Sequence, residues 1–230
     1  RNLALAPFAI LVVSMPLQAQ NYPVKSIRFL VAYAPGGATD ILARILAQRL
    51  TESFGQQVAV ENRPGASGMV GADVVAKAPP DGYMVLISTA AEIAINQHLF
   101  SKMPYDPVKD LAPASYAAHA AVLCSVHPSV PVYSLAQLIA LAKARPGELT
   151  YASVGTGSVH HLSGEILKTM ARINIVHVPY KGAGPAVIEM VGGHVSMGFT
   201  ALPSSLPHAR AGKLRPIAVT GKKRSEVAPD

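Results

Sequence analysis

Cysteine, tryptophan and charge are all scarce in this 230-residue chain, which has one cysteine, no tryptophan and 14% charged residues. A lone cysteine cannot form an intramolecular disulfide or a multi-thiolate zinc site, so a disulfide scaffold and a zinc ribbon are excluded. Half of the residues are hydrophobic, which excludes an intrinsically disordered chain and is enough for a sizeable core. The length allows one large domain or two small ones.

Acidic residues are also fewer than basic ones, 13 against 20, which gives a formal net charge of +7 with neutral histidines. Such a balance suits nucleic acid, an anionic surface or a small anionic ligand. The basic residues are dispersed, and their one cluster, Lys222–Arg224, has no aromatic residues between its members. No nucleic-acid partner is therefore expected.

An apolar run without charges opens the chain, from Leu3 to Val13, and is followed by Pro16 and the small residue Ala19. This run is shorter than the roughly 20 residues that a membrane-spanning helix needs, and its length suits the core of a secretory signal. The pattern predicts a signal peptide over residues 1–19 and export to the periplasm. The alternative is a buried strand or helix at the start of the fold.

Strand and helix patterns alternate through the rest of the chain. Ile27–Tyr33 is nearly all apolar, as in a strand buried on both faces, and a helical pattern follows it from Ile41 to Phe54 and ends at Gly55. The alternation predicts an α/β protein. Further strands are predicted at Gln57–Glu61, Tyr83–Thr89, Tyr116–Val126, Leu149–Ser153, Ile175–Pro179, Val195–Thr200 and Pro216–Thr220. Further helices are predicted at Met69–Ala78, from the Ser134/Gln137 capping box to Arg145, at Ser158–Ala171 and at Pro185–Val191.

Ligands of open α/β sheets bind beyond the carboxyl ends of the strands, so the loops that follow strands are the candidate sites. Pro35–Asp40 contains two glycines and leads into a helix, whose free amides suit a carboxylate or phosphate. The alternative for this loop is a tight turn capped by Thr39 or Asp40. Gly155–His161 has the same features with hydroxyls and an imidazole added, and Ser88–Thr89 ends a third strand.

Catalytic signatures are missing, because the chain has no G-x-S-x-G elbow, P-loop or H-E-x-x-H motif. Ser158 and His161 could form a nucleophile–base pair, or Ser158 could simply cap a helix. The neighbouring His160 and His161 would point about 100 degrees apart on a helix, which is poor for chelating one metal ion. His177 is expected to be a hydrogen-bonded core residue, and Cys124 a small buried hydrophobe. No metal or cofactor is expected.

Three segments resemble a known family: YPVKSIRFLVAYAPGGATDILAR, VAVENRPGASGMVGADVVAKAPPDGYMVLIST and HVPYKGAGPAVIEMVGGHVSMGF. They are similar to the Bug, or TctC-like, periplasmic solute-binding proteins of tripartite tricarboxylate transporters. The resemblance covers about residues 22 to 230. It implies a type II periplasmic-binding-protein fold, in which two α/β lobes close on a small carboxylate that is then delivered to a membrane permease. It implies a receptor, expected to be a monomer, rather than an enzyme; an exported hydrolase that uses Ser158 and His161 is the alternative.

The resemblance also implies lobe boundaries and site residues. Lobe 1 would comprise residues 20–115 with 221–230 returning toward it, and lobe 2 residues 116–220. Family members have more glycine around Ala38 and Ser67, and they continue beyond the position of Asp230 into a segment that completes lobe 1. The ligand-binding residues implied by the match are Pro35, Gly36, Gly37, Ala38, Thr39, Asp40, Thr89, Gly155, Thr156, Gly157, Ser158, His161, Tyr180, Lys181 and Thr200.

Overall fold

A computed structural model describes residues 22–221 and 223–226. The predicted signal peptide and residues 227–230 lie outside the described residues. None of the helices in the described part of the chain combines the length and the apolar character that crossing a bilayer requires.

The first α/β unit is built on a three-stranded parallel sheet. Its central strand β1 (Ile27–Val31) lies between β2 (Val58–Asn62) and β3 (Met84–Ile87). Four of the five β1 residues are buried, as expected for a strand covered on both faces. Helix α1 (Ala38–Phe54) packs Ala43 and Ala47 against this sheet, and it ends at Gly55, whose φ of 65° is the left-handed conformation that favours glycine.

Four short helical segments complete the first unit. A 3-10 turn (Ala66–Gly68) leads into α2 (Met69–Ala76), and a π-helical turn (Ala91–Ile95) leads into α3 (Asn96–Leu99). The sequence patterns predicted α2 but neither α3 nor the π-helical turn, because the segment AEIAINQHL is too short to show a clear helical period.

The second α/β unit is built on a five-stranded mixed sheet with the order β6-β5-β7-β4-β8. Strands β5, β6 and β7 are parallel, while β4 is antiparallel to both β7 and β8. Tyr151, Leu138 and Met197 are among its fully buried side chains. The strands are β4 (Val122–Val126), β5 (Thr150–Ser153), β6 (Val176–Pro179), β7 (Met197–Ala201) and β8 (Arg215–Val219), and the helices are α4 (Leu135–Ala144), α5 (Val159–Ala171), α6 (Ala183–Val191) and α7 (Leu202–Arg210).

The structure confirms the α/β class but corrects two local predictions. The strand expected from Tyr116 begins at Val122, because residues 112–120 are exposed and pair with no other strand of the described chain. Helix α7 was not among the predicted helices, and its sequence LPSSLPHAR contains two prolines, which are unfavourable in a helix interior. The first of these prolines occupies the opening turn, where its missing N–H costs no helical hydrogen bond.

Small residues bring the two units into direct contact. The amide of Ala34, after β1, donates to the carbonyl of Lys181, after β6, at 3.0 Å. Ala32 and Tyr33 of the first unit form one buried cluster with Val154 and Ala183 of the second. The carboxyl ends of β1, β5 and β6 therefore meet at one place, which is where the candidate site lies.

Candidate functional site

A cavity of about 150 Å³ lies between the two α/β units. Its walls come from the ends of strands and from the loops that follow them. The first unit contributes the end of β1 and the turn after β2, and the second contributes the ends of β5 and β6. The lining residues are Tyr33, Gly65, Ala66, Ser67, Gly68, Val154, Pro179, Tyr180 and Lys181.

The turn Gly65–Gly68 was not among the predicted site residues, although it forms much of one wall. All four of its residues have positive φ, including 44° at Ala66 and 53° at Ser67. The Ser67 hydroxyl donates to the carbonyl of Thr156 in the other unit, and the Asn96 side-chain amide donates to the Ser67 carbonyl at 3.0 Å. The glycines that flank Ala66 and Ser67 were the available signal, since paired glycines mark unusual backbone conformations.

Several hydrogen-bond donors of the residues that line this cavity have no partner. In the described part of the chain the Tyr180 hydroxyl and the Lys181 ammonium group have no side-chain partner. The backbone amides of Ala66 and Ser67 have no acceptor there either. The lining contains no acidic side chain. The cavity wall thus offers positive charge and free N–H and O–H groups, which complement an anion.

The predicted loop Pro35–Asp40 borders the contact between the two α/β units and does not line the cavity. Gly36 lies against Gly184 of the other unit, while the Gly36 amide donates to the Asp40 carboxylate at 3.0 Å. Asp40 is buried and also accepts two hydrogen bonds from the Arg44 guanidinium. Burial alone raises the pKa of Asp40, but the hydrogen bonds from Arg44, Gly36 and Asn62 outweigh it and leave that pKa below its ordinary value. Asp40 therefore holds its own loop and helix, and its carboxylate is already satisfied.

The second predicted loop, Gly155–His161, folds as a helix cap. The Ser158 hydroxyl donates to the Gly155 carbonyl at 2.7 Å and accepts from the His161 amide at 3.2 Å. The His161 Nδ1 atom accepts from the Gly157 amide at 3.1 Å. Ser158 and the His161 imidazole are thus each hydrogen-bonded to backbone and not to each other. This geometry lacks the serine–imidazole contact that a nucleophile–base pair requires. Thr156 is exposed at the contact with Ser67.

A serine–histidine contact does occur elsewhere, between Ser153 and His177, whose Oγ and Nε2 atoms are 2.7 Å apart. Ser153 is fully buried, and His177 stacks on Tyr151 and lies 4.2 Å from the ring centre of His161. Burial, reinforced by the neighbouring His161, lowers the pKa of His177 to about 4. His177 is thus hydrogen-bonded as expected from the sequence, but it is only half-buried, because β6 lies at the edge of its sheet.

Two further predicted residues lie away from the cavity lining. The Thr89 hydroxyl donates to Glu92 at 2.8 Å and lies 3.4 Å from the Tyr33 hydroxyl, behind the cavity wall. Thr200 is fully buried in β7 and is hydrogen-bonded to Ser205. Cys124 is buried as predicted, and burial raises the pKa of its thiol to about 12. Across the described residues, no group of three or more histidine, cysteine, aspartate or glutamate side chains is placed to hold a metal ion.

Two α/β units around a small, donor-lined cavity define a solute-binding receptor. The family described as "Tripartite tricarboxylate transporter family receptor" matches residues 42–230, and the chain belongs to this family.

Named relatives agree with this assignment. The chain is 40% identical over 220 residues to protein BugT of Bordetella pertussis, an alignment that spans 94% of this chain and 67% of BugT. The structure of Rpa4515 of R. palustris with adipate is 42% identical, has a TM-score of 0.87 and covers 88% of this chain and 68% of that one. MatC from Rhodopseudomonas palustris with bound malate is 29% identical, with a TM-score of 0.85 and coverage of 91% and 71%. The family and the type of receptor expected from the sequence are confirmed.

Proposed function

We propose that this receptor captures a small carboxylate in the cavity between its two α/β units. The observation that carries the proposal is the set of donors without partners: the Tyr180 hydroxyl, the Lys181 ammonium group and the amides of Ala66 and Ser67. Hydrogen bonds between charged donors and a carboxylate are the strong ones in proteins. An anion complements this set of donors and the positive charge of Lys181.

The size of the cavity supports a small ligand. Its 150 Å³ is well below the roughly 300 to 1,000 Å³ of pockets that hold drug-sized molecules. Rpa4515 and MatC carry adipate and malate in their structures, both short dicarboxylates. A short carboxylate of this kind is therefore the ligand class proposed for this chain.

The two units act as lobes in this proposal, with the boundaries expected from the sequence: 20–115 with 221–230, and 116–220. The loops at Pro35–Asp40 and Gly155–His161 lie at the meeting edges of the lobes and govern how closely they approach. Binding stabilises the closed arrangement only through contacts that the open one lacks. The receptor acts in the periplasm as a monomer, hands its ligand to the permease subunits of a tripartite transporter, and carries out no chemical reaction.

Titration calorimetry with malate, adipate, succinate and citrate tests the proposal, with the malate diamide as a neutral control. Lys181→Met should weaken binding about 10- to 150-fold, because a hydrogen bond to a charged group contributes about 1.5 to 3 kcal/mol. Tyr180→Phe should weaken it less. Lys143→Met, on the exposed side of α4, is the matched control and should bind as the parent does.

Binding of the diamide as strongly as malate would contradict the anion site. Failure of every carboxylate to bind, together with turnover of an ester by the same protein, would overturn the receptor function in favour of a hydrolase.

A further inference from the structure

Glu92 is a fully buried carboxyl group directly behind the cavity. It lies in the π-helical turn after β3 and is 0% exposed. Its Oε2 atom accepts hydrogen bonds from the Thr89 amide at 2.7 Å and from the Thr89 hydroxyl at 2.8 Å. Its Oε1 atom is buried and has no hydrogen-bond partner. No lysine, arginine or histidine of the described chain forms an ion pair with it.

Glu92 packs against one residue of the cavity wall and is linked to a second one through Thr89. Gly68 lines the cavity, and a side-chain carbon at position 68 would overlap Glu92 Oε1, so this oxygen packs against the Gly68 backbone. Tyr33 also lines the cavity, and its hydroxyl lies 3.4 Å from the Thr89 hydroxyl that donates to Glu92. This carboxyl group therefore lies directly behind residues that line the cavity.

The surroundings of Glu92 favour its neutral form. Tyr33 faces it from the loop after β1, and Tyr105 donates its hydroxyl to the Glu92 backbone carbonyl at 2.7 Å. Asp73 of α2 acts electrostatically on Tyr105. None of these groups can carry positive charge. Burial raises the pKa of Glu92, and the nearby Tyr33 hydroxyl and the hydrogen bonds from Thr89 offset only part of this rise. A carboxylate ligand would add a second negative charge nearby, which disfavours ionisation further.

We propose that Glu92 couples ligand binding to proton uptake: a carboxylate enters the cavity together with a proton that resides on Glu92. The proton is bound from solvent to one carboxyl oxygen, so no covalent change occurs in the ligand. This inference rests on the proposed carboxylate ligand. It makes Glu92 a positioning residue that favours binding in acidic surroundings, where it is already neutral.

Calorimetric titration of malate and adipate in buffers of different ionisation enthalpy measures the proton uptake directly. The parent protein should take up a fraction of one proton per ligand, and its affinity should fall with rising pH by up to about tenfold more than that of Glu92→Gln. Glu92→Gln should bind with an affinity that changes less with pH and should take up fewer protons. Glutamine can still accept the hydrogen bond from the Thr89 amide, as in a capping box, so a purely structural role predicts the same pH profile in both proteins. Glu52→Gln, on the exposed face of α1, is the matched control and should behave as the parent does.

The outcomes separate this inference from the proposed function. Binding with no net proton uptake in the parent, or with equal uptake in Glu92→Gln, overturns the coupling and leaves the carboxylate receptor intact. Binding by no carboxylate at any pH overturns both. The buffer experiment on the parent protein does not depend on how well the variant folds. In the absence of ligand, the thermal stability of Glu92→Gln should rise relative to that of the parent as the pH rises. Glu92 ionises freely in the unfolded parent, whereas burial opposes its ionisation in the folded state, and glutamine does not titrate.

Discussion

A methyl group added at Gly184 should weaken ligand binding without destabilising the ligand-free protein. It lies in the first turn of α6 and faces the loop after β1 in the other α/β unit. A Cβ atom added there would overlap the Pro35 carbonyl oxygen, inside the 3.0 Å that real Cβ atoms keep from their neighbours. Its backbone is helical, so alanine is otherwise acceptable at this position.

Gly184→Ala should therefore leave the stability of the ligand-free protein nearly unchanged and weaken ligand binding. Alanine gains up to about 1 kcal/mol of helix propensity over glycine. Overpacking costs about 1 to 3 kcal/mol, and an open arrangement of the units escapes this cost. The penalty then falls on the closed, ligand-bound state and corresponds to about 5- to 150-fold in affinity.

The measurements are the dissociation constant for malate and adipate, the thermal midpoint without ligand, and the radius of gyration with and without ligand. Gly192→Ala is the control, because it lies at the other end of α6, its φ is −73°, and the nearest side chain is that of His194. An unchanged affinity together with ligand-induced compaction equal to that of the parent would refute the reasoning. A large drop in the ligand-free midpoint would show that the contact belongs to the folded core in every state.

Three further predictions concern stability, each measured by denaturant unfolding. Ala66→Gly should stabilise the protein by about 0.5 to 1 kcal/mol. The φ of 44° costs a residue with a Cβ about 1 to 2 kcal/mol, and the greater entropy of glycine in the unfolded chain offsets part of the gain from relieving it. The control Ala76→Gly in α2 should lose about 1 kcal/mol, and a loss at both positions would contradict the argument. Burial lowers the pKa of His160 to about 4, so the folded state resists protonation of this histidine. The free energy of unfolding should therefore fall as the pH drops from about 6.5 toward 4. In His160→Gln it should depend less on pH, and an equal pH dependence in both proteins would rule His160 out as the cause. Ser158→Ala should lower the free energy of unfolding by about 1 kcal/mol, because it removes the N-cap of α5. Ser163→Ala, in the interior of that helix, should lower it less. Equal losses would mean that the cap contributes little.

The sequence allowed much of the fold to be predicted, because the relevant signals are local. The apolar strand at Ile27–Tyr33 and the helix ended by Gly55 appear as expected, and Ser134 caps α4 by accepting from the Gln137 amide. The late start of β4 could not be predicted, because it depends on pairing with strands distant in the chain. Helix α7 could not be predicted either, because it contains two prolines and packs against the distant α1 and β4.

The candidate site was only partly predictable for the same reason. Tyr180 and Lys181 were anticipated from the family resemblance, and both line the cavity. Thr200 was anticipated as well, but its burial in β7 depends on strands on both sides of it. The turn Gly65–Gly68 was missed, since its contact with Thr156 joins residues 89 positions apart.

The amino-acid sequence by itself determined the α/β class, the family and the polar character of the loops that follow the strands, because hydrophobic periodicity, turn residues and long motifs are local properties of the chain. The tertiary structure alone decided which of those loops meet, which donors are left without partners, and that Glu92 is buried behind the cavity. These features depend on distances between residues far apart in sequence, and burial sets both the cost of an unpaired group and the pKa of a carboxyl.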